Sequence, residues 1–421
     1  MNKTEINIIF STKNIENTTN LLWSILEKYS LKKIKNYSLT ITIFDKTLTQ
    51  NILTAIKQFD LCINVIGQSK IKELEEKHSK FIYSANCSTK IDSIQRARIQ
   101  QQIYIIENYD QFKDSIIWQV DDDILFGKSN YKKNQHTVTF TIDYFSKIVE
   151  FYNENKSIDA IIAPTSYVPP IPSLLYCKTQ LEDVFNGEYI ARESFNSEEY
   201  HDYYNQNNTE KYYSIFLSET QDKNEIVKSI LAGKPITKVA FNEKENLIPK
   251  QKKSKLLRGG NFIVFNIDVF RIPHFGFSEN NHIPARRSDM IHSHLLLELG
   301  FNVVDVNYFT LVHNRSFANS SIENSTEKYF SDMIGSLLIQ YLYKGKKEFD
   351  NRFQFHQNHI KKILKLLYEN INENEFRTEI GKLKELDVQI NSLDKEHFIN
   401  EFEDFKRIKN QLIIKLCKLA S

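Results

Sequence analysis

Near the start of the chain, apolar positions fall in short runs separated by polar, helix-spaced stretches. Residues 6–10 (Ile-Asn-Ile-Ile-Phe) and 39–44 (Leu-Thr-Ile-Thr-Ile-Phe) are rich in β-branched and aromatic side chains and predict strands. Between them Leu21, Leu22, Ile25 and Leu26 share one face of a helix expected over 17–29. A helix is expected over 49–59, strands over 61–66 and 81–83, and a long helix over 91–108. The apolar strand 116–120 then runs straight into Asp121-Asp122-Asp123. Strands alternating with helices imply an α/β fold whose mostly parallel sheet is covered on both faces. Ligands of such sheets gather at the carboxyl ends of the strands. That rule directs attention to Ser11-Thr12, Asp45 and the aspartate triplet.

Farther on the pattern loosens. A strand over 160–163 is cut off by Pro164, with Pro169, Pro170 and Pro172 close behind. The polar, Tyr-rich stretch 187–208 reads equally as an inserted loop over a site and as a solvated surface segment. Residues 250–258 hold five cations and no acid, followed by Gly259-Gly260 and a strand over 261–266. A helix over 290–299 leads through Gly300 to a strand over 302–306. Beyond about 319 only helical spacing remains. Asn324 and Glu327 have the spacing of a capping box, and apolar stripes recur from Tyr329 to Tyr341, over 360–371 and over 398–416. The expected organisation is a body over 1–319, with an insertion at 187–257, and a helical C-terminal region over 320–421. A packed appendage is the plain reading of the stripes, with membrane-surface or partner docking as the alternative.

Composition narrows the class. The 421 residues are 41% hydrophobic, with 29 Phe and 21 Tyr to fill a core. The 55 Lys and Arg against 53 Asp and Glu leave a formal charge of +2, which implies no global grip on nucleic acid or anionic membrane. No apolar run approaches the roughly 20 residues that span a bilayer, and the N-terminus lacks a signal-peptide core. Four scattered cysteines without a Cys-x-x-Cys pair read as reduced thiols. The expectation is a cytoplasmic protein, with peripheral contact at the inner membrane face left open.

The chemistry centres on Asp121-Asp122-Asp123. Three adjacent carboxylates between apolar runs repel one another and are costly unless a cation lies among them. A divalent ion taking hard oxygen ligands, Mn²⁺ or Mg²⁺, suits such a strand end. A solvated acidic turn or helix N-terminus is the plainer alternative.

An ordered series of segments resembles the GT-A fold, and in particular the family 2-like nucleotide-sugar glycosyltransferases. Residues 8–14 are similar to the family's first strand and turn, and 43–47 to its second strand with a terminal aspartate. Residues 92–98 resemble the segment ending in Ala-Arg, and Asp121 with Asp123 match the outer aspartates of a DxD motif. Arg258-Gly259-Gly260 resembles the acceptor-side glycines, Ser288-Asp289 the segment carrying the catalytic base, and Val312-His313-Asn314-Arg315 the late histidine. The sequence departs from the family pattern where Ser288 replaces the usual Glu. It departs again where the usual later arginine is missing, with His294 or Arg286-Arg287 as candidate substitutes.

The resemblance implies a mixed, mostly parallel sheet flanked by helices. It also implies a metal-dependent, inverting transfer of sugar from a nucleoside diphosphate sugar, UDP-sugar favoured, to a hydroxyl of a glycan, lipid-linked sugar or peptide. Thr12, Asp45, Arg98, Asp121, Asp122, Gly260 and Arg315 would hold the nucleotide sugar, Asp123 and His313 the Mn²⁺ or Mg²⁺, and Asp289 would be the base. Each has a plainer role: Asp45 as a strand-end turn former, Asp289 as a helix N-terminal acid, His313 as a surface histidine, Gly259-Gly260 as a turn. Two other readings stand beside it. One is transfer to a nucleic-acid base, with the 250–258 cations on phosphate, against which the low net charge argues. The other is a non-catalytic domain whose helical tail binds a partner.

Overall fold

The computed structural model describes residues 3–30, 36–45, 50–79, 93–132, 135–140, 142–163, 165–166, 173–187, 212–216, 222–234, 237–241, 260–279, 283–306, 309–314 and 320–420. The expected strand at 81–83, the cation run 250–258, Gly259, Arg315 and nearly all of the Tyr-rich stretch lie outside these residues.

The chain begins with β1 (Thr4–Thr12), α1 (Ile15–Ser30), β2 (Tyr37–Asp45), α2 (Gln50–Ile56), β3 (Cys62–Ile66), α3 (Gln68–Lys77) and α4 (Ser93–Glu107). It continues with β4 (Ser115–Val120), β5 (Ile124–Leu125), α5 (Tyr144–Glu154), β6 (Ala160–Ile162), β7 (Thr165–Ser166), α6 (Ser173–Asn186) and α7 (Lys223–Leu231). Next come β8 (Asn261–Val264), α8 (Ser288–Glu298), β9 (Val303–Asp305) and β10 (Leu311–His313). Four long helices close the chain: α9 (Ile322–Lys344), α10 (Lys346–Asn370), α11 (Arg377–Asn391) and α12 (Lys395–Ala420).

Seven strands form one sheet in the order β3-β2-β1-β4-β8-β6-β9. All neighbours pair in parallel except β8, which runs antiparallel to both β4 and β6. This is the mixed, mostly parallel sheet flanked by helices that the resemblance implies. The continuous apolar runs follow from burial on both faces. Successive side chains point to opposite faces, so Ile8 and Phe10 join one apolar cluster and Ile9 the other. Trp118 likewise parts from Ile117. One face is covered by α1 and α5 through Leu21, Leu22, Phe145 and Ile148. On the other, a single cluster extends from Ile9 and Phe44 through Leu174 and Ile226 to Ile334, Phe402 and Leu412. The helical C-terminal region therefore packs into the same core as the sheet. Among the described residues no helix is long and apolar enough to cross a membrane.

The structure corrects one cap. Ser321, not Asn324, begins α9: its hydroxyl accepts from Asn324 N at 3.2 Å, and Asn324 and Glu327 lie inside the helix. Helix α10 starts at Lys346, well before the expected 360, because Phe349, Phe353, His356 and His359 carry the buried stripe N-terminally. Two of those four are histidines, which weaken an apolar count.

Candidate active site

The carboxyl ends of β1, β2 and β4 converge with the start of β8. Thr12 and Asp45 are register partners at the ends of β1 and β2, and both are buried. Because β8 is antiparallel, its first residue, Asn261, pairs with Val120 at the end of β4. Gly260 thus meets the triplet, its carbonyl accepting from Asp121 N at 3.3 Å. Gly260 has φ +109°, and a Cβ there would lie 3.2 Å from Asp121 Oδ2. Both the conformation and the clearance favour glycine.

His313 is brought to the triplet by a small three-stranded sheet, β5-β10-β7, in which His313 pairs with Ile124. Asn314 N donates to Asp123 O at 2.7 Å. Asn261 ties the parts together: its Oδ1 accepts from Trp118 Nε1 at 2.8 Å, and its Nδ2 donates to Phe309 O at 2.8 Å, just ahead of β10.

Each aspartate has its own partner. Asp121 Oδ1 accepts from the buried Arg98 guanidinium at 2.6 Å. Asp122 Oδ2 accepts from Thr12 Oγ1 at 2.8 Å. Asp123 Oδ1 lies 3.1 Å from His313 Nε2. Protein groups thus share in relieving the triplet: Arg98, Thr12 and His313 each meet one carboxylate. Burial nevertheless pushes the Asp122 carboxyl up to about 6, with Asp123 and Asp121 adding to the rise and the Thr12 bond opposing it.

Asp121, Asp123 and His313 offer ligand atoms that all lie within 4.8 Å of one another. Two carboxylates and an imidazole suit Mn²⁺ or Mg²⁺. Sequence reasoning assigned Asp123 and His313 to the cation but gave Asp121 to the nucleotide sugar. Proximity groups Asp121 with them and leaves Asp122 outside, on Thr12.

Helix α4, expected over 91–108, presents a buried polar face that the expectation did not include. Besides Arg98, it buries Gln95, Gln101 and Gln102. Gln101 donates to Ser11 Oγ at 2.8 Å and accepts from Gln119. Gln95 donates to His274 O at 3.0 Å. Gln102 accepts from His274 N at 3.1 Å and donates to Ile272 O at 2.7 Å. The spacing of Gln95, Arg98 and Gln101/Gln102, at three and then three or four residues, is the signal that could have revealed this face.

Asp289 stands in the first turn of α8. It is not the N-cap; that position is Arg287, which makes no side-chain cap bond. Asp289 Oδ1 accepts from Ser288 Oγ at 3.4 Å. The helix packs toward the cluster through His292, stacked on His274 with ring centroids 4.0 Å apart. Burial lowers His292 to about 4, with the Asp289 charge opposing and the Arg98 charge assisting. Asp289 and Arg98 thus act on the same buried imidazole. The candidate substitutes for the missing arginine are engaged elsewhere. His294 stacks on Tyr343 with centroids 3.8 Å apart, and burial lowers it to about 4, which keeps it neutral. Arg286 and Arg287 face Asp332 of α9.

No protein-family model matches the chain, and none of the curated proteins matches it. Solved structures do resemble it in outline. S. aureus TarS 1–349 in complex with UDP-GlcNAc is 10% identical, with 96% of this chain and 92% of that chain covered and a TM-score of 0.34. Glucosyl-3-phosphoglycerate synthase from Mycobacterium tuberculosis, solved with Mn²⁺, UDP and glucosyl-3-phosphoglycerate, is 9% identical over 79% and 78%, with a TM-score of 0.33. Mouse xyloside xylosyltransferase 1 is 10% identical over 71% and 78%, with a TM-score of 0.31. Likeness at this level assigns no activity, so the functional reading rests on the site.

Proposed function

We propose that the chain is a cation-dependent glycosyltransferase that moves a sugar from a nucleoside diphosphate sugar, UDP-sugar favoured, to an acceptor hydroxyl of a glycan, lipid-linked sugar or peptide. The observation that carries this reading is the grouping of Asp121, Asp123 and His313 at the carboxyl end of β4, beside Thr12 and Asp45 at the ends of β1 and β2. A strand-end carboxylate cluster next to a second strand-end carboxylate suits a diphosphate and a nucleobase held side by side.

Asp121, Asp123 and His313 would hold Mn²⁺ or Mg²⁺, which when bound supplies Lewis-acid stabilisation of the leaving diphosphate. Arg98 fixes the Asp121 carboxylate by a charge-assisted bond. Thr12 turns Asp122 toward β1. Asp45 accepts the imide N–H that uracil carries and cytosine lacks. Asp289 takes the proton of the acceptor hydroxyl as its oxygen attacks the anomeric carbon, with inversion. Arg315 remains a proposed phosphate contact on the resemblance alone.

The test is thermal shift of the full chain with UDP or CMP, with and without Mn²⁺. Ligands that bind the native state raise the melting temperature with the logarithm of their concentration over Kd. UDP with Mn²⁺ is expected to stabilise the wild type, CMP to do so less, and Asp123→Ala to lose the Mn²⁺-dependent part. Equal stabilisation of Asp123→Ala would remove the cation assignment, and equal response to CMP and UDP would remove the role of Asp45.

A further inference from the structure

Helix α8 is held by the C-terminal helices at both ends and in the middle. At its start, the Asp332 carboxylate of α9, almost wholly buried, faces Arg286 Nη1 at 2.9 Å and Arg287 Nη2 at 3.8 Å. Arg286 N donates to Ser331 O at 3.3 Å, a backbone bond between the turn and α9. Gly335, one turn on, lies so close that a Cβ there would run into Arg286 O and the Arg287 side chain. In the middle of α8, His294 stacks on Tyr343. At its end, Glu298 accepts from Lys409 of α12 at 2.7 and 2.9 Å.

The turn held at the start is strained. Arg287 has φ +112°, and it is the only non-glycine residue with positive φ among the described residues. Such a conformation persists only where the surroundings over-determine it. Here the surroundings are Asp332, Ser331 and Gly335, all on α9. The first backbone bond of α8 runs from Ile291 N to Arg287 O at 3.1 Å, so the strained residue is itself the acceptor that starts the helix. Relaxing Arg287 would break that bond and swing Ser288 and Asp289 away from their present direction.

We infer that Asp332 is a positioning residue for Asp289. By holding the Arg286-Arg287 turn against α9, it fixes the strained start of α8 and with it the direction of the base. This rests on the reading of the chain as a glycosyltransferase with Asp289 as base. It gives the C-terminal helical region a part in catalysis without contact with either substrate. The axis of α8 is set separately, by Tyr343 and Lys409, so losing Asp332 frees the first turn and leaves the rest of the helix in place.

The experiment uses the full chain carrying Asp332→Asn and three readouts. Hydrogen exchange read by mass spectrometry is expected to quicken at least tenfold at the Ile291 amide and to stay unchanged in peptides from β1 and β4. UDP affinity with Mn²⁺ present should stay within twofold of wild type. Turnover of a UDP-sugar that the wild type consumes, chosen from a panel that includes UDP-glucose, should fall at least tenfold in kcat with donor KM little changed. Unchanged exchange at Ile291, or unchanged kcat, overturns the positioning role. Parallel loss of UDP affinity or of protection in β1 and β4 overturns it too, by showing a general structural role. If Asp332→Asn does not fold, Arg286→Gln, at a side chain a quarter exposed, is read by the same three measures. Failure of the underlying reading looks different: the wild type then consumes no UDP-sugar, whatever its exchange pattern.

Discussion

Asp289 tests how far one carboxylate can be separated from its structural duty. A helix N-terminal acid is stabilised by the helix dipole whether or not it does chemistry. The structure narrows this, because Arg287 occupies the N-cap and Asp289 stands one residue into the helix behind Ser288. Asparagine is nearly isosteric and keeps the Ser288 contact. Asp289→Asn is therefore expected to leave UDP binding unchanged and to cost at most about 1 kcal/mol of stability, the share of the dipole. Transfer should fall ~10²–10⁴-fold, the usual worth of a positioned base. Steady-state kinetics on the variant decide it: near-native kcat would return Asp289 to the helix dipole and leave the reaction without its base. The contrast with Asp122 is instructive. That residue sits in the same triplet as the cation candidates, yet its hydrogen bond to Thr12 turns it to a different task. Asp121 meets Arg98 on α4, Asp122 meets Thr12 on β1, and Asp123 meets His313 on β10.

At the scale of elements, β1, β2, β4 and β8 were legible because a strand buried on both faces is nearly continuous in β-branched and aromatic residues. The ends of those strands located Thr12, Asp45 and the triplet. What stayed hidden has physical causes. Helix α3 buries only Ile71 and Leu74, too narrow a stripe for a periodic signal. The proximity of Asp121 to His313 depends on β10 pairing with β5, a contact between segments far apart in the chain that no local pattern encodes. Helix α4 is the most instructive case, since the helix itself and Arg98 were legible and the burial of its glutamines was not. Gln102 satisfies the backbone around His274 and Ile272 from within the core. Gln102→Leu keeps the volume and removes both bonds; Ile272 O keeps His292 Nε2 at 2.9 Å, and His274 N is left to find another partner. Each buried group left unsatisfied costs about 1–3 kcal/mol. Urea unfolding is expected to show a loss of about 1–3 kcal/mol by that reckoning. A loss below about 1 kcal/mol would mean that the His274 amide finds a replacement partner.

For the whole molecule, the shared core means that the C-terminal helices and the sheet unfold together, and the buried histidines set how that stability depends on pH. Burial lowers His292 and His294 to about 4 and holds His274 well below its usual value. In the unfolded chain each takes up a proton near pH 6.5. Between those values the unfolded state binds more protons than the folded state, so stability rises with pH and is lost on acidification. For a shift from about 6.5 to about 4, each histidine removes about 2 kcal/mol between pH 7 and pH 5. Asp122 works in the opposite sense. Its folded value near 6 lies above the unfolded one, so the folded state binds its proton first and gains about 1 kcal/mol over the same interval. Three histidines outweigh one aspartate, and the net expectation is a steep fall in melting temperature below pH 6.5. The variant that isolates the cause is His294→Phe. A phenyl ring retains the stack on Tyr343 and has nothing to protonate, and the charge that faces it is that of Lys409, which already opposes protonation. The variant should therefore melt closer to wild type at pH 7 than at pH 5, where it should be the more stable of the two. Parallel melting curves for both proteins from pH 7 to pH 5 would show that the His294 proton plays no part.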